Sequence, residues 1–226
     1  MSDDALFEGA PGAGEVVKAI RPLKNDPSRC AVVVGRRKEA TLDRSQVESL
    51  GLCVGAAWTA ELAERVHEAA GLLKAKRDAL RALSMRARSR GQIIESLMRK
   101  GHGRTTAEAA ADHMTSIGLL DDRAYAEMAV RDELARKPAG RMLLVSKLAQ
   151  KKIGRELAEE VVAAALAERD GESDAIELAK RRARTFDSRL SSDAARRRLF
   201  AYLARRGFDP QLCRRGVEAA LGRGER

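Results

Sequence analysis

Two adjacent carboxylates, Asp121 and Asp122, are followed three residues later by Tyr125. This arrangement could in principle serve as an acid–base pair or hold a divalent cation. Either use needs more than the pair supplies: a cation needs further oxygen or nitrogen ligands, and a dyad needs a groove for substrate. The surrounding pattern gives a simpler reading. An apolar knot of Ile117, Leu119 and Leu120, with Gly118 among them, precedes the pair, and Ala126, Val130 and Leu134 follow at helical spacing. A short oxygen-bearing side chain at that point accepts the unpaired N–H groups of a first helical turn. The pair is therefore expected to cap a helix that ends before Pro138, with Tyr125 as part of the same structural motif.

The remaining chemistry-bearing residues are scattered. Cys30, Cys53 and Cys213 contain no C-x-x-C, and His67, His102 and His113 form no ligand spacing with them. No nucleophile elbow, Walker loop or H-E-x-x-H occurs. The Gly101–Arg104 string GHGR lies between helices rather than after a strand, so His102 reads as a helix-junction residue. No catalytic residue, cofactor or metal ligand is expected, and the chain is not read as an enzyme.

The basic residues are the better functional material. Residues 1–73 carry nine Lys/Arg against eleven Asp/Glu, whereas residues 74–226 carry 34 against 22. A basic body suits a polyanionic partner. The clusters are Arg86, Arg88 and Arg90; Arg99 and Lys100; Lys147, Lys151, Lys152 and Arg155; Arg181 and Arg182; and Arg197, Arg198, Arg205 and Arg206. Any one of them could be a solvated helix face. Their recurrence at equivalent places argues for contact with phosphates or an acidic surface, without base reading.

The elements that must position these residues are mainly helical, because Ala, Leu, Arg and Glu dominate. Val- and Ile-rich stretches around the turn string NDPS, Asn25–Ser28, predict a small hairpin or three-strand meander over about 15–43. Asp43 then caps a short helix closed by Gly51, and Thr59 caps the next. Beyond that a unit of about 50 residues recurs three times, anchored by Leu97, Leu148 and Leu203. Each anchor is followed by a basic pair or near-pair, an interruption and an Ala/Val-rich helix. The expected fold is mainly α: an elongated tandem array of three three-helix modules, preceded by a small β-hairpin-containing N-terminal extension. The expected divisions are a disordered lead at 1–13, a β-rich region at 14–72 and modules at 73–120, 121–170 and 171–226. No apolar run is long enough to cross a membrane. The acidic, Gly/Ala-rich start is unlike a signal peptide, so a cytoplasmic monomer is expected.

At Gly118–Ala126 (GLLDDRAYA) and Lys147–Ile153 (KLAQKKI), the sequence resembles the RecX family of recombinase regulators. Arg131, Glu133, Leu134, Ala135, Lys137, Pro138 and Gly140 carry a further family string, and RSRGQIIESLMRKG in the first module is similar to its counterpart. The resemblance covers about residues 75–222, and residues 14–65 are similar to the β-rich extension of some members. The Lys137-Pro138-Ala139-Gly140 linker and His102-Gly103 depart from the usual pattern. The resemblance implies binding in the groove of a filament of the recombinase RecA on DNA. It also implies limits on RecA ATPase, filament extension, strand exchange and co-protease activity, and hence a place in DNA repair, homologous recombination and the SOS response. The partners implied are RecA and weakly, non-specifically bound single- or double-stranded DNA. The alternative is a sequence-independent DNA-binding protein acting without RecA.

Overall fold

The computed structural model describes residues 14–187 and 189–222. The N-terminal lead expected over 1–13 lies outside the described residues. Strands β1 (Val17–Leu23), β2 (Asp26–Val34) and β3 (Arg37–Asp43) form an antiparallel sheet in the order β1-β2-β3. The turn is tighter than the NDPS string implied. Only Lys24 and Asn25 turn, and Asp26 already pairs with Leu23. Alternation decides which face is covered: Val32, Val34 and Leu42 are fully buried and pack with Trp58, Ala63 and Val66.

Among the described residues ten helices follow: α1 (Arg44–Ser49), α2 (Ala60–Met85), α3 (Arg90–Arg99), α4 (Arg104–Ser116), α5 (Asp122–Arg136), α6 (Arg141–Gln150), α7 (Arg155–Ala167), α8 (Gly171–Ala183), α9 (Ser192–Arg205) and α10 (Pro210–Leu221). Gln46 accepts the Asp43 N–H at 2.9 Å to start α1, and Thr59 accepts the Leu62 N–H to start α2. Helix α2 runs without a break through residues 72 and 73, where the change in composition had suggested a division. Its first half covers the sheet through Ala63 and Val66, and its second half buries Ala75, Ala79 and Ala82. Helix α8 begins at Gly171, the residue at which the third module is expected to start. Asp170 accepts the N–H groups of Glu172 and Ser173, which turns those residues into a first helical turn.

The residues cluster into two compact units. One comprises the described residues up to Met85 with Ile94–Ile117; the other comprises Arg86–Ile93 and the described residues from Gly118 onward. In the second unit, α5–α7 share one core around Tyr125, Val130, Leu144, Leu148 and Val162. Helices α8–α10 share another around Leu178, Leu199, Leu203 and Phe208.

Candidate functional site

The repeat read from the sequence is a repeated helix terminus. After Leu97, Leu148 and Leu203, the fourth residue in each case has a positive φ: Gly101 at 88°, Lys152 at 62° and Gly207 at 81°. Its N–H reaches back to the residue after the leucine, and the next N–H reaches the leucine carbonyl itself: His102 to Leu97 at 3.2 Å, Ile153 to Leu148 at 3.1 Å and Phe208 to Leu203 at 3.3 Å. This is the paired closure of a helix that ends in a left-handed residue. Ile153 and Phe208 are then buried in the same cores as their leucines, while the His102 ring meets Asp78. Lys152 occupies a conformation that normally favours glycine.

In the second unit this corner has a partner. The first turn of α3 receives the corner of α6, and the first turn of α6 receives the corner of α9. Ser89, fully buried, donates its hydroxyl to the Lys151 carbonyl and accepts the Gln92 N–H. At the equivalent place, Gly140 donates its N–H to the Arg206 carbonyl at 2.8 Å, and Met142 donates to Gly207 at 3.2 Å. The approach is close enough to require glycine. A Cβ on Gly91 would stand 2.8 Å from the Lys152 carbonyl oxygen, and one on Gly140 would stand 2.2 Å from that of Gly207.

The opening carboxylates belong to this arrangement. Asp121 is the N-cap of α5 and accepts the Ala124 N–H at 3.0 Å. Asp122 accepts the Arg90 N–H at 2.7 Å and so caps α3 instead of its own helix. Tyr125, 7% exposed, places its hydroxyl 3.3 Å from Gln92 and 3.4 Å from the Lys151 ammonium. Of the motif, Leu120 is buried while Gly118 and Leu119 remain exposed. Both aspartates are thus held by backbone donors, and no group of three or more metal-binding side chains occurs among the described residues.

The basic candidates separate into distinct environments. Arg206 is the clear correction to its reading as a partner-contact residue. Its side chain is 18% exposed, and its guanidinium donates to the carbonyls of Pro138 (2.7 Å) and Lys137 (2.9 Å) and to Glu133 at 3.3 Å. It is spent inside the molecule, because those carbonyls terminate α5 and lack helical partners. Lys147 shares Glu133 with it at 3.4 Å, and Lys151 lies 5.4 Å from the Tyr125 ring centre. Both lysines line a narrow cleft with Asp132 and Glu133, whose carboxylates offset their charge. Lys100 pairs with Asp78 at 2.8 Å, Arg155 with Glu159 at 2.9 Å and Arg181 with Glu177 at 3.7 Å. Arg182 lies against the rings of Phe186 and Tyr202, and Lys137 approaches Tyr202 as well. Arg88, Arg90 and Lys152 are engaged within the fold. Arg86, Arg99, Arg197, Arg198 and Arg205 are exposed and make no ion pair among the described residues. Of the basic candidates named from the sequence, these five are the ones left available to an external anion.

Local electrostatics follow from the pairs. Burial acts to raise the Asp78 carboxyl, but the hydrogen bonds from Lys100 and His102 together outweigh it and hold the group below its ordinary value. The His102 ring nitrogen stands 2.9 Å from Asp78, and the imidazole is 7% exposed, so it is a paired junction residue. Arg123 holds Glu160, and Arg155 holds Glu159, below the usual carboxylate range. Burial raises the Cys213 thiol. The sequence reading passed over Tyr202 and Arg214, and took Lys137 only as part of a family string. The Arg214-Arg215 pair in LCRRG was the available signal, missed because it lies mid-helix instead of at a module corner.

Three family models match in order: "RecX, first three-helix domain" over residues 75–114, "RecX, second three-helix domain" over 121–162 and "RecX, third three-helix domain" over 170–216. A curated relative from Chlorobium phaeobacteroides, named regulatory protein RecX, is 30% identical over 141 residues, covering 62% of this chain and 89% of that protein.

The chain belongs to the RecX family.

A Mycobacterium leprae regulatory protein RecX is 35% identical over 133 residues, spanning 57% of this chain and 75% of that protein. In fold, this RecX-family chain is similar to a crystal structure of regulatory protein RecX. The TM-score is 0.68 at 20% identity, covering 88% of this chain and 96% of that one. The crystal structure of RecX from Lactobacillus salivarius matches with a TM-score of 0.58 over 66% of this chain and 96% of that one, at 19% identity. The paired corners and capping carboxylates described above thus lie within RecX three-helix domains. The chain is accordingly a RecX-type regulatory protein, and no described helix is long and apolar enough to cross a membrane.

Proposed function

We propose that this protein regulates the recombinase RecA by binding along the groove of a RecA–DNA filament, limiting its ATPase, extension, strand exchange and co-protease activity. The observation that carries the reading is the ordered match of three RecX three-helix domains across residues 75–216. The availability of Arg86, Arg99, Arg197, Arg198 and Arg205 supports it, since they can meet DNA phosphates or acidic protein surface. Contacts spread over several modules add up to firm binding although each is weak. The test is a titration of the protein into RecA on single-stranded DNA, following ATP hydrolysis and filament length. Both should fall at sub-stoichiometric levels of this chain, and an unchanged ATPase and filament length would refute the proposal. A second reading, sequence-independent DNA binding without RecA, is favoured by the exposed Arg197, Arg198 and Arg205 on one helix. It requires binding to DNA alone that weakens steeply with salt and persists near physiological ionic strength.

A further inference from the structure

The third core carries a groove of which the regulatory reading uses only Arg197. Arg196, Arg197 and Phe200 of α9, with Arg214, Val217 and Glu218 of α10, line an open, shallow groove of about 360 Å³. Its apolar wall is built in. Val217 is buried and Phe200 is half-buried against the α8–α10 core, so the phenyl ring cannot retreat without opening that core. Its basic rim is partly fixed, because Arg196 donates to the Gly222 carbonyl at 2.7 Å. Arg197 and Arg214 remain exposed and make no ion pair among the described residues. Three guanidinium groups therefore surround an apolar floor opposed by one carboxylate, that of Glu218.

We propose that this groove is a docking site for an acidic peptide segment of a protein partner, which inserts one large apolar side chain against Phe200 and Val217. The chemistry favours a peptide over a nucleic acid. A phosphodiester backbone gains nothing from the apolar wall, whereas a peptide supplies both an anchor for the wall and an N–H for Glu218 to accept. Flanking aspartates or glutamates then meet Arg197 and Arg214 as charge-assisted pairs. The volume lies within the range of small-ligand pockets, enough for one large side chain and adjacent backbone. This goes beyond the proposed function and holds whether or not RecA is the protein regulated.

The test uses the intact chain and fluorescence anisotropy with three labelled probes: the peptide Glu-Glu-Asp-Phe-Asp-Glu-Glu, the same peptide with Ala in place of Phe, and oligothymidylate. The Phe peptide should bind, and its Ala counterpart should bind about tenfold more weakly or worse. Arg197→Glu and Arg214→Glu should each weaken the Phe peptide by about tenfold with unchanged helicity and melting temperature, while Arg155→Glu should leave it unaltered. The proposal is overturned if the Phe peptide does not bind, if the Phe and Ala peptides bind equally, or if Arg214→Glu has no effect. It is equally overturned if oligothymidylate binds more tightly than the peptide and displaces it through the same arginines.

Discussion

Asp121 and Asp122 show how little a residue type decides by itself. Adjacent in sequence, they cap two different helices, because the N-cap position directs one inward to its own turn while the next residue projects toward α3. Replacing either by Ala should lower stability by about 0.5–2 kcal/mol, read from urea midpoints. The Asp122 variant should also loosen the amides at the start of α3 in hydrogen exchange, and equal exchange there in both variants would show that Asp122 caps nothing outside α5. Asp78 allows a pH test. Its carboxyl is held below its ordinary 3.8, so the fold favours the ionised form. The stabilisation is therefore complete above 3.8 and disappears as pH falls through the lowered folded-state value. Asp78→Asn should remove that acid-side slope, and an unaltered slope in unfolding experiments between about pH 6 and about pH 2 would contradict the pairing with Lys100 and His102.

Among the elements, the corner that closes α6 and α9 is at once a helix terminus and a docking piece. The left-handed residue turns the backbone so that its carbonyls face the first turn of another helix, and only glycine leaves room for them. Gly140→Val should therefore be severely destabilising, since its side chain would overlap the Gly207 carbonyl. Arg206→Ala should cost about 1–3 kcal/mol, because the carbonyls of Lys137 and Pro138 lose their donor in a part-buried site. Thermal unfolding measures both. An Arg206→Ala protein as stable as the parent would return Arg206 to the list of contact residues.

For the whole molecule, the available charge is narrower than the formal excess. On the proposed function, Arg197→Glu combined with Arg205→Glu should weaken the inhibition of RecA ATPase about tenfold or more, at constant helicity. Lys147→Glu should change it far less, because that lysine is already matched by Glu133. Equal loss from both would mean that net charge alone, and no particular placement, governs the interaction.

Composition, the three-fold leucine period and the GLLDD string determined the helical class, the small sheet, the repeat and the family resemblance. These are local properties, set by periodicity and by capping chemistry within a few residues. Tertiary structure alone decided which charges are spent. Arg205 and Arg206 are neighbours of one type, yet one faces solvent and the other reaches main-chain carbonyls some 70 residues earlier in the chain, as with Pro138. The same holds for Asp122 and Arg90. Partners so distant in sequence leave no mark in local pattern, because the match between donor and acceptor exists only once the corner of one helix has docked on the first turn of another.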